Sequence, residues 1–279
     1  MASDSSPTTL KSLQQYASDQ TELVDSLLNT YPQNTRFRDT DKQEWVQFWS
    51  STWGRDPDSL DKKEEVLRGP DRIEESLILP GVVPTHCDVM LKPKALESCW
   101  DFDCEKIFIR PEYKEAEEFV LSACGAVRPY RAFVVTGQPG IAPLPYLTAT
   151  GGLGDTLSGK SVFLLRIFLR RLALMLPTAL QIDPDCALLF YQVGVKEFVQ
   201  LSNGYVYAPL KPQDSPLGRI WALIDSNRGL HEPPAVFKEG PFFVVKASSP
   251  LPVRLEWTRG VRTKFLYMKL WSFSEVLQA

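Results

Sequence analysis

The chain has 279 residues, of which 44% are hydrophobic, and its 31 lysines and arginines against 34 acidic residues give a formal net charge of −3. A chain of this size can bury one large core or two smaller ones. The near-neutral charge argues against a protein that holds nucleic acid by bulk positive charge, so any phosphate would have to be bound locally.

Two features of the sequence bear on cellular location. The first nine residues hold neither a basic stretch nor an apolar run, so we expect no secretory signal peptide. The longest apolar segment, residues 162–176, is interrupted by three arginines, which predicts a buried helix and not a membrane span. The sequence therefore predicts an intracellular protein, cytoplasmic or nuclear, that does not engage a membrane.

Helical periodicity dominates the N-terminal region. After a polar start that we expect to be disordered, apolar residues recur at helical intervals from Leu10 to Leu28. A second helix is predicted from Asp41 to Gly54, and its three tryptophans are spaced four apart on one face: Trp45, Trp49 and Trp53. This stripe is typical of rings packed into a core or against a protein partner, and a ligand platform is the alternative. Residues 55–72 are dense in charge and are predicted to form a solvated connection.

From residue 106 onward, the pattern changes to strands that alternate with helices. Apolar runs predict strands at 107–109, 131–136, 187–191, 219–225, 242–248 and 264–271. Helices are predicted at 111–123 and from Gly159. Strands separated by helices or long connections are typical of a three-layer α/β fold with a mainly parallel sheet. We therefore divide the chain into a mostly helical N-terminal region, residues 1–105, and an α/β domain, residues 106–279.

A glycine-rich segment that leads into a helix predicts a phosphate-binding loop. Gly159, Lys160 and Ser161 complete the pattern GxxxxGK[ST], and the start of the loop has two alternatives. Either Gly154 begins a contiguous match, or the loop begins at 137–140 and residues 142–158 are an insertion within it. Such a loop needs a strand before it, main-chain amides around the phosphates, a lysine at the terminal phosphates and a hydroxyl for magnesium.

We favour the alternative with the insertion, because Ala132–Val135 is a purely apolar strand immediately upstream. The segment before Gly154 is short and follows two prolines. The phosphate-binding residues are then Gly137, Gln138, Pro139, Gly140, Gly159, Lys160 and Ser161. An in-frame stretch such as 142–158 is also what translation of an unspliced intron would give. Both alternatives share Gly159, Lys160 and Ser161.

Two later strands end in residues that suit a nucleoside triphosphate. The strand 220–225 ends in Asp225, whose carboxylate would hold Mg²⁺ together with the hydroxyl of Ser161. The strand 242–247 is followed by Ser248, which would place a hydroxyl near the terminal phosphate. The sequence therefore predicts that the chain binds ATP or GTP with Mg²⁺, with Lys160, Asp225 and Ser248 as the catalytic residues.

The second part of the chain resembles the P-loop NTPase module of fungal proteins related to Crinkler effectors and retrotransposon-hot-spot proteins. The residues that carry the likeness are Thr136–Ile141 joined to Gly159–Leu165, Arg170–Ala173, Ala222–Asn227 and Trp271–Glu275. The likeness covers a little over half the chain. It implies a sheet of the additional-strand class, in which the strand before Ser248 lies between the loop strand and the strand ending at Asp225. It also implies a helical lid beyond residue 279, so we expect the chain to be truncated at its C-terminus.

One departure from this family bears on hydrolysis. Many members have an acidic residue after the magnesium-binding aspartate, whereas this chain has Ser226 and Asn227. The loss of a carboxylate base slows hydrolysis by roughly 10²–10⁴-fold, so we expect slow turnover or binding alone. The candidate replacement bases are Glu232 and Glu256, and the candidate cations for the developing charge are Arg254, Arg259 and Arg262. The alternative function is a non-enzymatic protein-interaction module with a degenerate P-loop.

Overall fold

The computed structural model describes residues 24–25, 39–65, 86–91, 106–124, 130–137, 159–183, 186–199, 220–226, 231–240 and 242–269. The helices are α1 (Asp39–Thr52), α2 (Pro111–Cys124), α3 (Gly159–Ala173) and the short α4 (Ala235–Glu239). These bounds confirm the helices predicted at 41–54, at 111–123 and from Gly159. Of the helix predicted between residues 10 and 28, only residues 24 and 25 are described, and both are helical.

Ten strands are found in the described residues. They are β1 (Asp61–Glu65), β2 (His86–Leu91), β3 (Lys106–Ile109), β4 (Ala132–Thr136), β5 (Thr178–Asp183), β6 (Cys186–Tyr191), β7 (Gly194–Val199), β8 (Ile220–Asp225), β9 (Phe242–Ala247) and β10 (Thr263–Tyr267). Strands β1, β2 and β3 form a small antiparallel sheet, and the other seven form one larger sheet.

The larger sheet is mostly parallel, which confirms an α/β fold. Its strand order is β10-β4-β9-β8-β5-β6-β7; the first five strands run parallel, and β6 and β7 add an antiparallel hairpin at one edge. Strand β9 lies between β4 and β8, as expected for the strand before Ser248. Ala247 is in register with both Val135 and Asp225, so the three strands end at one edge of the sheet.

Alternate residues of the central strands point to the two faces of the sheet, and each face is buried. In β4, Phe133 and Val135 belong to the core on the α3 side, whereas Ala132 and Val134 belong to the core on the α4 side. Burial on both faces explains why these strands appear in the sequence as continuous apolar runs.

Helix α1 belongs to the same core as the sheet. Trp45 and Phe48 are buried against Phe190 of β6, and the indole N–H of Trp49 donates a 3.0 Å hydrogen bond to the carbonyl of Tyr191. The tryptophan stripe therefore packs into a core, as predicted. Because α1 packs against this sheet and β3 pairs with β2, interactions cross the predicted boundary at residue 106, and that boundary stays a prediction.

Three local predictions need correction. Residues 55–72 were expected to form a solvated connection, but they include a 3-10 helix at Pro57–Leu60 and the strand β1. This charged segment pairs with β2, where Lys63 lies opposite Asp88, an interaction that the local sequence does not reveal. Strands β5 and β7 were not predicted, and β10 ends at Tyr267, four residues before the predicted end.

A search of the helices among the described residues found none with the length and apolar character that a membrane span requires.

Candidate functional site

Of the residues predicted to bind phosphate, the structure describes Gly137, which follows β4 at the carboxyl edge of the parallel strands, and Gly159, Lys160 and Ser161, which begin α3. Strands β4, β8 and β9 end there at Thr136, Asp225 and Ala247, and α3 begins at Gly159 and packs along β5, β8 and β9. Ligands of open α/β sheets bind outside this edge, where loops leave the strands. Gln138, Pro139 and Gly140, like residues 142–158, lie outside the described residues.

Gly137, the first residue after β4, occupies a position that only glycine fits. Its φ is +152°, and a Cβ at this residue would lie 2.8 Å from the carbonyl oxygen of Met268. The N–H of Met268 donates a 2.8 Å hydrogen bond to the carbonyl of Thr136, which holds the exit of β10 against the exit of β4. The pairing of β4 with β10 therefore requires a glycine where the chain leaves β4.

We expect Gly137→Ala to lower the free energy of unfolding by about 1–3 kcal/mol, because the variant has both a strained φ and a contact that is too short. The matched control is Gly194→Ala, since Gly194 has a φ of +142° with nothing within 4 Å of its added Cβ. Urea denaturation of both variants measures the difference. An equal loss in the two variants would show that the Met268 contact adds nothing to the backbone strain.

Lys160 lies in the first turn of α3 and is only 4% exposed. Its Nζ donates a 3.4 Å hydrogen bond to the carbonyl oxygen of Gly137, which joins the start of α3 to the end of β4. Burial lowers the pKa of Lys160, and the nearby carboxylate of Asp225 opposes this shift. The ammonium group is thus held at the carboxyl edge of the sheet at an electrostatic cost that a bound anion would relieve.

Ser161 and Asp225 are the residues predicted to hold magnesium, and both are buried. Asp225 is the last residue of β8, and the odd-numbered residues of this strand face the side on which α3 packs. A hydroxyl and a carboxylate oxygen are ligands that suit Mg²⁺ when phosphates and water complete the shell. Among the described residues, no group of three or more His, Cys, Asp or Glu forms a metal site of its own.

Ser248 is buried. Its N–H donates a 2.9 Å hydrogen bond to the carbonyl of Val135, which places the residue beside β4. Its hydroxyl donates to the carbonyl of Ser249 at 3.1 Å. A hydroxyl in this state accepts hydrogen bonds but has no proton left for a phosphate. Ser248 therefore lies at the edge of the sheet where β4 and β8 end, and the predicted contact with a terminal phosphate would require its hydroxyl to rotate.

The three candidate arginines lie in different places. Arg254 reaches the end of β8, where its Nη1 lies 3.5 Å from the hydroxyl of Ser226. Arg259 is exposed. Arg262 precedes β10 at the opposite edge of the sheet, where its carbonyl accepts a hydrogen bond from the N–H of Arg131 and its guanidinium lies over the ring of Tyr130. Arg262 is therefore not placed to meet a phosphate at the carboxyl edge.

The two candidate replacement bases are exposed. Glu232 pairs with Lys238 at 3.0 Å, and its side chain is 64% exposed. Glu256 lies exposed in a 3-10 helix, Glu256–Thr258. A catalytic carboxylate needs a position beside the attacking water, and nothing in these contacts gives either residue such a position.

Lys246, a fully buried lysine of β9, lies at this edge and was not predicted as a site residue. Its Nζ donates a hydrogen bond to the carbonyl of His231 and lies 5.7 Å from the centre of the Trp257 ring. The pKa of Lys246 is lowered to about 7, mainly by burial and further by the charges of Arg254 and Lys238, while Glu232 and Asp225 oppose this shift. The signal in the sequence was a single charge inside an apolar run, which a strand buried on both faces does not otherwise tolerate.

Among the described residues, this edge of the sheet combines two buried lysines, one of them on each face, with one buried aspartate and a partly buried arginine. Asp225 opposes the lowering of the pKa of both lysines, and the exposed Glu232 adds to this effect only at Lys246. An arrangement with more cations than carboxylates can bind an anion. No family model, curated protein or solved structure matches the chain.

Proposed function

We propose that the chain binds a nucleoside triphosphate, ATP or GTP, as a P-loop protein, with the phosphates held at the start of α3. The observation that carries the proposal is the position of Lys160. Its ammonium group is buried, bonded to the first glycine of the loop and held in the field of Asp225. A P-loop lysine reaches the terminal phosphates from this position in the fold.

The strand order supports the same proposal. In the sheet, β9 lies next to β4, and β8 lies next to β9. Ser248, which follows β9, and Asp225, the last residue of β8, therefore lie at the same edge of the sheet as the end of β4. This is the order that the additional-strand class implies. Ser161 and Asp225 would hold Mg²⁺, which would supply charge neutralisation of the phosphates.

The residues near Asp225 favour triphosphate binding with slow hydrolysis. The residue after Asp225 is Ser226, which is buried and bonded to a guanidinium. A serine next to a cation cannot take a proton from water as a carboxylate does. We therefore propose that any hydrolysis is slow and that the triphosphate is held.

The test of the proposed function is a thermal-shift titration of ATP and GTP with and without Mg²⁺. A ligand at 100 times its dissociation constant stabilises a folded protein by about 2.7 kcal/mol. We expect this stabilisation to require Mg²⁺ in the intact chain and to lose its magnesium dependence in Asp225→Asn. The control is Asp58→Asn, since Asp58 is exposed in the 3-10 helix after α1. Failure of every triphosphate to stabilise the intact chain would contradict the proposal.

The second candidate function is an interaction module whose loop cannot close on phosphate. The observation in its favour is that residues 142–158 separate the two parts of the predicted loop, which end at Gly140 and resume at Gly159. It predicts no magnesium-dependent stabilisation of the intact chain and a gain of stabilisation when residues 142–158 are deleted. Comparing the intact and deleted chains in the same titration separates the two functions.

A further inference from the structure

Arg254 is the one candidate arginine that the structure brings to the carboxyl edge. It ends a short 3-10 helix, Pro252–Arg254, in the connection between β9 and β10. Its Nη1 lies 3.5 Å from the hydroxyl of Ser226, the residue that follows Asp225. The guanidinium therefore contacts the residue that follows Asp225, the last residue of β8.

The guanidinium of Arg254 is incompletely satisfied. Its Nε is shielded from solvent and has no hydrogen-bond partner among the residues that the structure describes. A buried donor without an acceptor costs free energy that a suitable ligand would recover. The 3.5 Å contact with Ser226 is at the long limit of a hydrogen bond, so it offers little compensation.

The charges around Arg254 also favour an additional anion. Lys246 is near enough that Arg254 lowers its pKa, so two cations repel each other at this edge. A terminal phosphate carries the charge and the acceptor oxygens that a guanidinium binds through paired hydrogen bonds.

We propose that Arg254 recognises the terminal phosphate and makes this site select nucleoside triphosphates over diphosphates. The proposal rests on the proposed function, because it assumes that the nucleotide lies along the start of α3. It adds the specificity of the site: Lys160 binds the phosphates that both nucleotides share, and Arg254 binds the one that only the triphosphate has.

The test measures the dissociation constants of the β,γ-imido analogues of ATP and GTP, and of ADP and GDP, all with Mg²⁺. In Arg254→Gln, we expect the affinity for the better imido analogue to fall by about 10–100-fold, which is the loss of one charged hydrogen-bonding group. The affinity for the matching diphosphate should change by less than about twofold. Arg254→Lys keeps the charge but not the paired donors, so its loss should be smaller.

The matched control is Arg55→Gln, which removes the same charge from an exposed residue. Arg55 follows Gly54, whose N–H donates to the carbonyl of Leu172 near the end of α3, so it lies far from the start of that helix. Equal losses for triphosphate and diphosphate in Arg254→Gln would show a structural role and overturn the inference. Unchanged affinities for both would overturn it as well.

Two results separate this inference from the proposed function. An intact chain that binds triphosphate, with a preference over diphosphate that Arg254→Gln preserves, would overturn only the role of Arg254. An intact chain that binds neither nucleotide would overturn the proposed function, and this inference with it. Thermal denaturation of each variant without nucleotide shows whether the fold is intact before binding is measured.

Discussion

Lys160→Ala is expected to weaken the binding of MgATP or MgGTP by about 100-fold or more, because it removes a buried charged donor from the phosphates. The ammonium group lies 3.4 Å from the carbonyl of Gly137, at the point where the loop leaves β4. A second variant, Lys160→Met, keeps most of the side-chain volume and so separates lost charge from lost packing. Isothermal titration calorimetry measures both losses.

The free energy of unfolding provides a second test of Lys160 that does not depend on nucleotide binding. Burial lowers the pKa of Lys160, so without a bound anion its charge destabilises the fold. Lys160→Met should therefore unfold no more readily than the unmodified chain while it loses nucleotide affinity. The control is Lys196→Met, which removes the charge of an exposed residue of β7. Nucleotide affinity that survives in both Lys160 variants would contradict the assignment of the phosphate-binding lysine.

Lys246→Met is expected to remove a large pH dependence of stability. The pKa of Lys246 falls from 10.5 to about 7 in the fold, mainly because of burial. Between pH 7 and 10.5, the unfolded chain therefore binds a proton that the folded chain does not. The free energy of unfolding should rise with pH in this window by about 1.4 kcal/mol per pH unit from this group alone. Below pH 7 the full destabilisation is present, and above 10.5 it is absent.

Urea denaturation of the unmodified chain and of Lys246→Met at pH 7 and pH 9 measures this effect. The advantage of the methionine variant over the unmodified chain should shrink by about 2–3 kcal/mol between these pH values. Besides burial, the charges of Arg254, Glu232, Asp225 and Lys238 act on Lys246, and its Nζ donates a hydrogen bond to the carbonyl of His231. Lys196→Met should keep the slope of the unmodified chain. Parallel pH profiles for the two lysine variants would show that Lys246 does not titrate in this window.

The sequence was most informative where strands are buried on both faces. Strands β4, β8 and β9 are continuous apolar runs, so their existence follows from composition alone. The strand β7 is different, because it lies at the sheet edge and carries Lys196 and Glu197 in a hairpin with β6. Its stability comes from pairing with a partner strand, and a local pattern of residues does not contain that information.

In the candidate site, too, some positions were predictable from the sequence and others were not. The places of Lys160 and Ser161 at the start of a helix and of Asp225 at the end of a strand were predictable, because one motif and one apolar run specify them; their role in binding stays a prediction. The different positions of Arg254 and Arg262 were not predictable, since they depend on where the connection after β9 turns and on the register of β10. Gly137 was predicted to belong to the loop, but its close approach to Met268 follows only from the pairing of β4 with β10.

We propose that a triphosphate lies between the start of α3 and the carboxyl ends of β4, β8 and β9. The decisive experiment is a crystal structure of the intact chain, grown with Mg²⁺ and the imido analogue of the triphosphate that binds more tightly. We expect phosphate oxygens within hydrogen-bond distance of Lys160 Nζ and the metal beside Ser161 and Asp225. A nucleotide bound elsewhere on the chain, with Lys160 still bonded only to protein, would contradict it.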